Sequence, residues 1–156
     1  MNEKRKNKNA SIPGSVVLDS SALLTLWNDE EGADIVADLL NSGKKIYLSF
    51  MTLMECRYRI WKNIDRNESE KFSAYLDLLP VEILWVSEVI FEKAVEIKAT
   101  HNLSVGDSWI IATAIMTSSL LVHKDPEFEQ VKNLLPLKPL PYKPLKAFSP
   151  LKDKNK

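Results

Sequence analysis

Short apolar runs of strand length alternate with segments of helical periodicity along most of this chain, and that alternation excludes most architectures. The strand-like runs fall at residues 16–19, 46–49, 82–86 and 120–123, and a further edge strand, where proline is tolerated, fits residues 137–140. Between them a helix is predicted from Ser20 to Trp27, and a second opens on Asp29-Glu30-Glu31, whose charges suit a helix N-terminus, and ends near Gly43. A third helix spans residues 51–63. After a turn at residues 65–67 a fourth runs to about Leu79, where Pro80 breaks it. Ser87 caps a helix reaching about Thr100, and His101-Asn102-Leu103 turn into a long apolar helix from about Ser104 to Ser118. Pro126 opens a last short one. Such a sequence predicts an α/β fold in three layers: a central, mostly parallel sheet of four to five strands flanked by helices.

At 156 residues, 45% hydrophobic and 27% charged, the chain has the make-up of one soluble globular domain. Apolar stretches such as Ile83-Leu84-Trp85-Val86 are far too short to span a bilayer, and no apolar leader follows the basic N-terminus. The expected compartment is the cytoplasm, with no membrane partner. Cys56 stands alone, which leaves no disulfide framework and no cysteine-based zinc site. The formal net charge of zero conceals a polarity: residues 9–131 carry 19 acids and 10 bases, whereas residues 132–156 carry seven bases and one acid. We divide the chain into a basic tail (1–14), a folded domain (15–140) and a Lys/Pro-rich tail (141–156). Basic ends on an acidic body suit arms that seek phosphate, and equally suit solvated tails.

Two of the strand-like runs end in aspartate, Asp19 and Asp125, at the carboxyl ends where parallel α/β sheets build their sites. Two further acids, Glu55 and Asp107, interrupt strongly apolar helical segments. Each has a structural explanation. Asp19 can cap the next helix, although Ser20 and Ser21 can do the same. Glu55 can pair with Arg59 four residues on. Asp107 stands in a Ser104-x-x-Asp cap relation, yet it heads a stripe with Ile110, Ile111 and Ala114 that faces the core. Asp125 before Pro126 is a favoured helix opening, a role compatible with a second one. Glu127 is a supporting acid. The histidines, His101 and His123, are not spaced as a metal pair and read as incidental. The tryptophans (Trp27, Trp61, Trp85, Trp109) read as core, and Cys56 as packing.

Taken in order, these acids resemble the PIN-domain ribonucleases, in particular the VapC-type toxins of prokaryotic toxin–antitoxin pairs. Val17-Leu18-Asp19-Ser20-Ser21-Ala22-Leu23 is similar to that family's opening motif, and Thr52-Leu53-Met54-Glu55 to its helical glutamate. Leu103 to Ala114 is similar to the third motif, the most specific match, and Leu121 to Phe128 to the closing one. Ser108-Trp109 replaces a more usual Ala-Leu pair. The resemblance covers roughly residues 15–140. It implies a PIN-like fold and a site in which Asp19, Glu55 and Asp107, with Asp125 assisting, hold Mg²⁺ or Mn²⁺, hard cations that prefer oxygen. Ser20, Ser21 and Glu127 would support the ligands from behind. The implied reaction is endonucleolytic hydrolysis of RNA. The implied partners are the RNA substrate, a small antitoxin wrapping the surface near the second helix and the Glu55 helix, and a second copy in a homodimer.

Two other readings compete. A phosphatase with Asp19 as nucleophile would want a second aspartate two positions on, where Ser21 stands, and a receiver domain would want an acidic pair on the first strand's end. A PIN-like RNA-processing factor or non-catalytic binding module is the alternative within the fold, with Trp109 narrowing the pocket or repacking its helix.

Overall fold

The computed structural model describes residues 13–142; the basic segments at residues 1–12 and 143–156 lie outside the described part. Its elements run β1 (Ser15–Leu18), α1 (Ser20–Trp27), α2 (Ala33–Leu40), β2 (Lys45–Ser49), α3 (Phe50–Asn63), α4 (Arg66–Leu76), β3 (Val81–Leu84), α5 (Glu88–Thr100), α6 (Val105–Met116) and β4 (Leu120–His123). A 3-10 helix (Pro126–Val131) and β5 (Leu137–Pro139) complete it. All five strands are parallel, in the order β3-β2-β1-β4-β5. The three-layer expectation of four to five strands holds, with five strands in the sheet.

Alternation along the central strands sorts the core into two layers. Val16 and Leu18 of β1 face one side with Ile46 and Leu48 of β2, where Leu23, Val36, Cys56 and Phe72 from the first four helices cover them. Val17 and Leu121 face the other side, beneath Ile110, Ile111 and Ala114 of α6 and Phe128 and Val131 of the 3-10 helix. Both faces of β1 are sealed, as a central parallel strand requires, and its three apolar residues are fully buried.

Several boundaries differ from the sequence-based expectation for local reasons. The Asp29–Glu31 acids do not open α2. Asp29 sits at φ 51°, Gly32 at φ 98°, and the helix starts at Ala33. Gly32 is buried against the C-terminal strand's exit, where an added Cβ would lie 3.1 Å from Pro141 Cδ, so the chain must turn there before it can coil. That helix also ends at Leu40, short of Gly43. Asp65 is not a turn residue but the cap of α4, its carboxylate accepting from Glu68 N, and α4 stops at Leu76. β3 ends at Leu84, leaving Trp85 and Val86 outside the strand. Trp61 and Trp85 are exposed, contrary to the core assignment, because β3 is an edge strand and the outer side of α3 is uncovered.

Trp27 and Phe72 meet edge to face at 5.4 Å, Tyr75 closing over the same indole at 5.1 Å, and Phe72 is wholly buried. Phe72→Ala should therefore cost about 3–5 kcal/mol in chemical denaturation, the range for emptying a buried aromatic site. A loss below about 1 kcal/mol would mean that α4 is not anchored as described.

Candidate active site

The strand order reverses at β1. The chain steps outward through β2 and β3, then returns to place β4 on the other side of β1. The crevice beyond the carboxyl ends of β1 and β4 is the place where open parallel sheets bind ligands. Asp19 follows β1 and Asp125 follows β4, and paired register brings them side by side: Leu18 aligns with Val122, and Asp19 N donates to Val122 O at 3.0 Å.

Asp19 is 4% exposed and caps α1, its Oδ1 accepting from Ala22 N at 2.7 Å. The Ser21 hydroxyl lies 2.8 Å from both oxygens of Asp19 and accepts from Lys124 N at 3.0 Å. It thus ties the two strand ends together. Glu55 is carried in by α3, which starts under a Ser49 cap and is held against the β1–α1 junction by Thr52 Oγ1 to Leu18 O and Cys56 Sγ to Ser20 O. Its outer oxygen pairs with Arg59 Nη2 at 3.6 Å. Asp107 comes from the first turn of α6, where Ser104 supplies the cap by accepting from Asp107 N at 3.0 Å. Ser104 does the capping, and its hydroxyl also favours the charged form of the Asp107 carboxylate.

Together Asp19, Ser20, Ser21, Glu55, Arg59, Asp107, Ile110 and Asp125 line a cleft of about 50 Å³. At its rim, oxygens of Asp107, Asp125 and Glu127 lie within 4.8 Å of one another. Asp125 holds this rim by two backbone bonds. Its carboxylate accepts from Glu127 N at 2.9 Å, and its own N–H donates to His123 Nδ1 at 3.2 Å.

The electrostatics are those of acids crowded into a low-dielectric site. Burial lifts Asp19 from 3.8 to about 7, against the pull of the Ala22 N–H and the Ser21 hydroxyl, with the charges of Asp107 and Glu55 adding to the rise. Glu55 is raised by burial and by Asp107, while the Ser20 hydroxyl and Arg59 favour its charge. Asp107 is raised by burial and by Asp125, with Ser104 and Arg59 opposing. Such a group of oxygens, with Arg59 the one cation lining the cleft among the described residues, fits a hard divalent cation. The Ser20 hydroxyl is buried among these acids and faces Glu55, whose charged form it favours.

Every acid singled out in the sequence therefore reaches one locality. Glu127 belongs to it more closely than expected, as part of the rim group. Asp19 does cap its helix, so the serines do not make it dispensable. Ser21 braces Asp19 directly, and Ser20 lies in the cleft wall. Trp109 does not narrow the cleft; it packs against Phe50 at 5.0 Å and Phe91 at 5.9 Å, on the far side of α6. His123 is not incidental. It is fully buried, holds the Asp125 backbone, and stacks edge-on against Phe128 at 5.0 Å. His101 stays at the end of α5, bonded to Thr100 and Ile97. Gly106 gave no signal in the sequence: a Cβ there would collide with Glu55 Oε1, so its bareness leaves room for that carboxylate.

Residues 16–134 match the family model of the PIN domain. No curated protein matches the sequence. Among solved structures, the chain resembles VapBC2 from Rickettsia felis, bound to a DNA fragment from its promoter, with a TM-score of 0.69 and 17% identity over 81% of this chain and 99% of that one. It also resembles DNA-bound VapBC from Salmonella typhimurium (TM-score 0.66, 19% identity, 80% and 97% covered). A third is VapC20 of Mycobacterium tuberculosis, described as a sarcin–ricin loop cleaving toxin (TM-score 0.61, 17% identity, 74% and 94% covered). At these identities the likeness concerns the fold.

Two measurements probe the cleft. An acid whose folded pKa is raised binds extra protons when folded, so its contribution to stability is complete near pH 4 and is lost as pH rises to about 7. In chelator-treated protein, Asp19→Asn should therefore gain on the wild type across that window, by on the order of 4 kcal/mol at its upper end. Parallel stability profiles would show that Asp19 is not held in this environment. His123→Phe keeps the ring but removes the acceptor for Asp125 N. Calorimetric titration with Mn²⁺ should show affinity lowered roughly tenfold or more, with the fold retained, since Nε2 has no partner among the described residues. Unchanged affinity would take His123 out of the site.

Proposed function

The chain is a member of the PIN domain family, and on that premise we propose that it is a metal-dependent endoribonuclease, the toxin of a type II toxin–antitoxin pair. The observation that carries this reading is the convergence of Asp19, Glu55, Asp107 and Asp125 on one cleft at the switch point of the sheet. In this reading Asp19, Glu55, Asp107 and Asp125 hold Mg²⁺ or Mn²⁺, with Glu127 at the rim. When bound, the ion acidifies the attacking water and stabilises the charge that grows on the phosphodiester.

The chain's own residues do the rest. Ser21 keeps both Asp19 oxygens in place, and its bond to Lys124 N fixes the separation of the two strand ends. Arg59 steadies Glu55 from the outside. His123 and the 3-10 helix hold the Asp125 carboxylate toward Asp107. The raised pKa of Asp19 gives the cluster a protonated reserve near neutrality, which cation binding would displace.

Use of Asp19 as a phosphatase nucleophile finds no support: both its oxygens are engaged by Ser21, one also by Ala22 N, and the residue is buried. A binding module with a closed pocket is disfavoured by Trp109 lying outside the cleft. An antitoxin partner is supported by a groove of about 430 Å³ on the outer side of α3, where Leu53, Met54, Tyr58, Trp61 and Trp85 stand together. Met54, Tyr58, Trp61 and Trp85 are each about half exposed or more, an apolar patch that a partner would cover. This surface lies on the Glu55 helix, one of the two places expected for it. The exposed face of α5, with Val89, Phe91 and Val95, supports a homodimer contact in the same way. No helix among the described residues is long and apolar enough to cross a membrane, and we place the protein in the cytoplasm.

Labelled structured RNA incubated with the purified chain and Mg²⁺ or Mn²⁺ should be cut, and chelation should stop the cutting. Asp107→Asn or Asp19→Asn should abolish cleavage while leaving thermal stability intact or raised. Undiminished cutting by these variants would remove the cleft from the chemistry.

A further inference from the structure

An acidic cleft repels a polyanion, and residues 9–131 carry 19 acids against 10 bases. Phosphates on either side of the scissile one therefore need a cation of the protein's own. Among the described residues Arg59 is the one cation that lines the cleft. Lys124, which follows β4, is spoken for. Its ammonium pairs with Glu30 at 3.1 Å and donates to Thr25 Oγ1 at 3.2 Å, and its side chain is 11% exposed.

Arg59 is held more loosely. Its Nη2 lies 3.6 Å from Glu55 Oε2, beyond hydrogen-bonding reach, and its side chain is 47% exposed. The Tyr58 hydroxyl is its other polar neighbour. A guanidinium carries five N–H donors in a planar fork, so these two neighbours leave donors for a further anion. Glu55 and Asp107 both feel the charge of Arg59, which places the fork near two of the four acids. Once those carboxylates share a divalent ion, they hold Arg59 more weakly, and the fork matches a phosphate bidentately.

α3 carries the positive charge onward from the cleft. Glu55, Arg59 and Lys62 follow one another at helical spacing on a single strip, Lys62 standing about 10 Å along the axis from Glu55. Lys62 is exposed and forms no ion pair among the described residues. It lies in the last turn of α3, where a cation also suits the helix dipole, a role that does not occupy its ammonium.

We propose that Arg59 and Lys62 form a phosphate track on α3: Arg59 grips the RNA phosphate next to the scissile one, and Lys62 the backbone beyond it. The track rests on the nuclease reading, and it gives Arg59 a contact with substrate beyond its steadying of Glu55.

The test uses the full chain with Arg59→Gln, Arg59→Lys or Lys62→Gln, beside Lys98→Gln on α5 as a control. Fluorescence anisotropy with a labelled 30-nucleotide single-stranded RNA is read at increasing KCl, with Ca²⁺ present to bind without cutting. Calorimetry gives the Mn²⁺ affinity without RNA. Arg59→Gln should bind RNA roughly tenfold more weakly, as for a lost hydrogen bond to a charged group. Its plot of log affinity against log salt should flatten by about 0.7, the share of one phosphate on a single strand. Arg59→Lys should keep the slope and lose part of the affinity, because the charge survives and the fork does not. Lys62→Gln should flatten the slope as much with a smaller loss, and the control should match the wild type. The Mn²⁺ affinity of Arg59→Gln should equal or exceed that of the wild type, since Arg59 competes with the ion for Glu55. Unaltered RNA affinity and slope in Arg59→Gln would overturn the track, as would an equal loss in the control. A loss of RNA binding that merely follows a loss of Mn²⁺ affinity would overturn it too, leaving Arg59 a support for Glu55. Wild-type behaviour of Lys62→Gln would overturn the extension along α3. Failure of the nuclease reading is separately visible: the wild type would bind RNA through Arg59 yet cut nothing with Mg²⁺ or Mn²⁺.

Discussion

Everything at the site depends on the pairing of β1 with β4. Three aligned residue pairs and the Asp19 N to Val122 O bond fix how two strand ends meet, and with them the distance between two loops separated by some hundred residues of sequence. Ser21 repeats the tie one layer higher by bridging Asp19 and Lys124 N. A slip of one residue in this pairing would turn either Val17 or Leu121 to the opposite face and carry Asp19 out of register with the end of β4. Core packing and site geometry are therefore enforced by the same register: the residues that bury the sheet also aim the acids.

That register holds together groups that repel one another. Asp19, Glu55 and Asp107 are all shifted toward their protonated forms, burial being the first cause for each. The surrounding fold offsets this with local hydrogen bonds whose other duties are structural: a helix cap on Ala22 N, a capping serine at 104, an ion pair on α3. Destabilising acids are thus tolerated because each sits at a helix terminus or beside a cation, where its charge does some local good. Cation binding would convert that repulsion into attraction, linking occupancy of the cleft to rigidity of the sheet edge.

Much of this was legible in the chain. Strand–helix alternation gave the layers, and the position of acids at strand ends and on apolar stripes gave the cleft. What escaped did so for physical reasons. Glu127 was legible only as a supporting acid, because in a regular helix residues two apart do not share a face; a 3-10 turn capped by Asp125 puts it on the rim with Asp125 and Asp107 instead. His123 closes an apolar strand, and nothing in its neighbours reveals that Nδ1 faces a backbone N–H two residues ahead. Trp85 looked buried because apolar strand residues usually are, but a strand at the sheet's edge has no neighbour to cover its exit. Gly106 carries no signal at all until Glu55 is seen filling the space beside it.

Cys56 gains a use from its position. It is the only thiol in the chain, lies fully buried between α3 and the Ser20 carbonyl, and is pushed far above its ordinary pKa by burial and by the charges of Asp19 and Glu55. A thiol so placed is chemically silent while the cleft wall is closed. Its rate of reaction with a thiol reagent therefore counts how often α3 lifts from α1, making the protein a clock for the breathing of its own site, and one that a tightly held cation would slow.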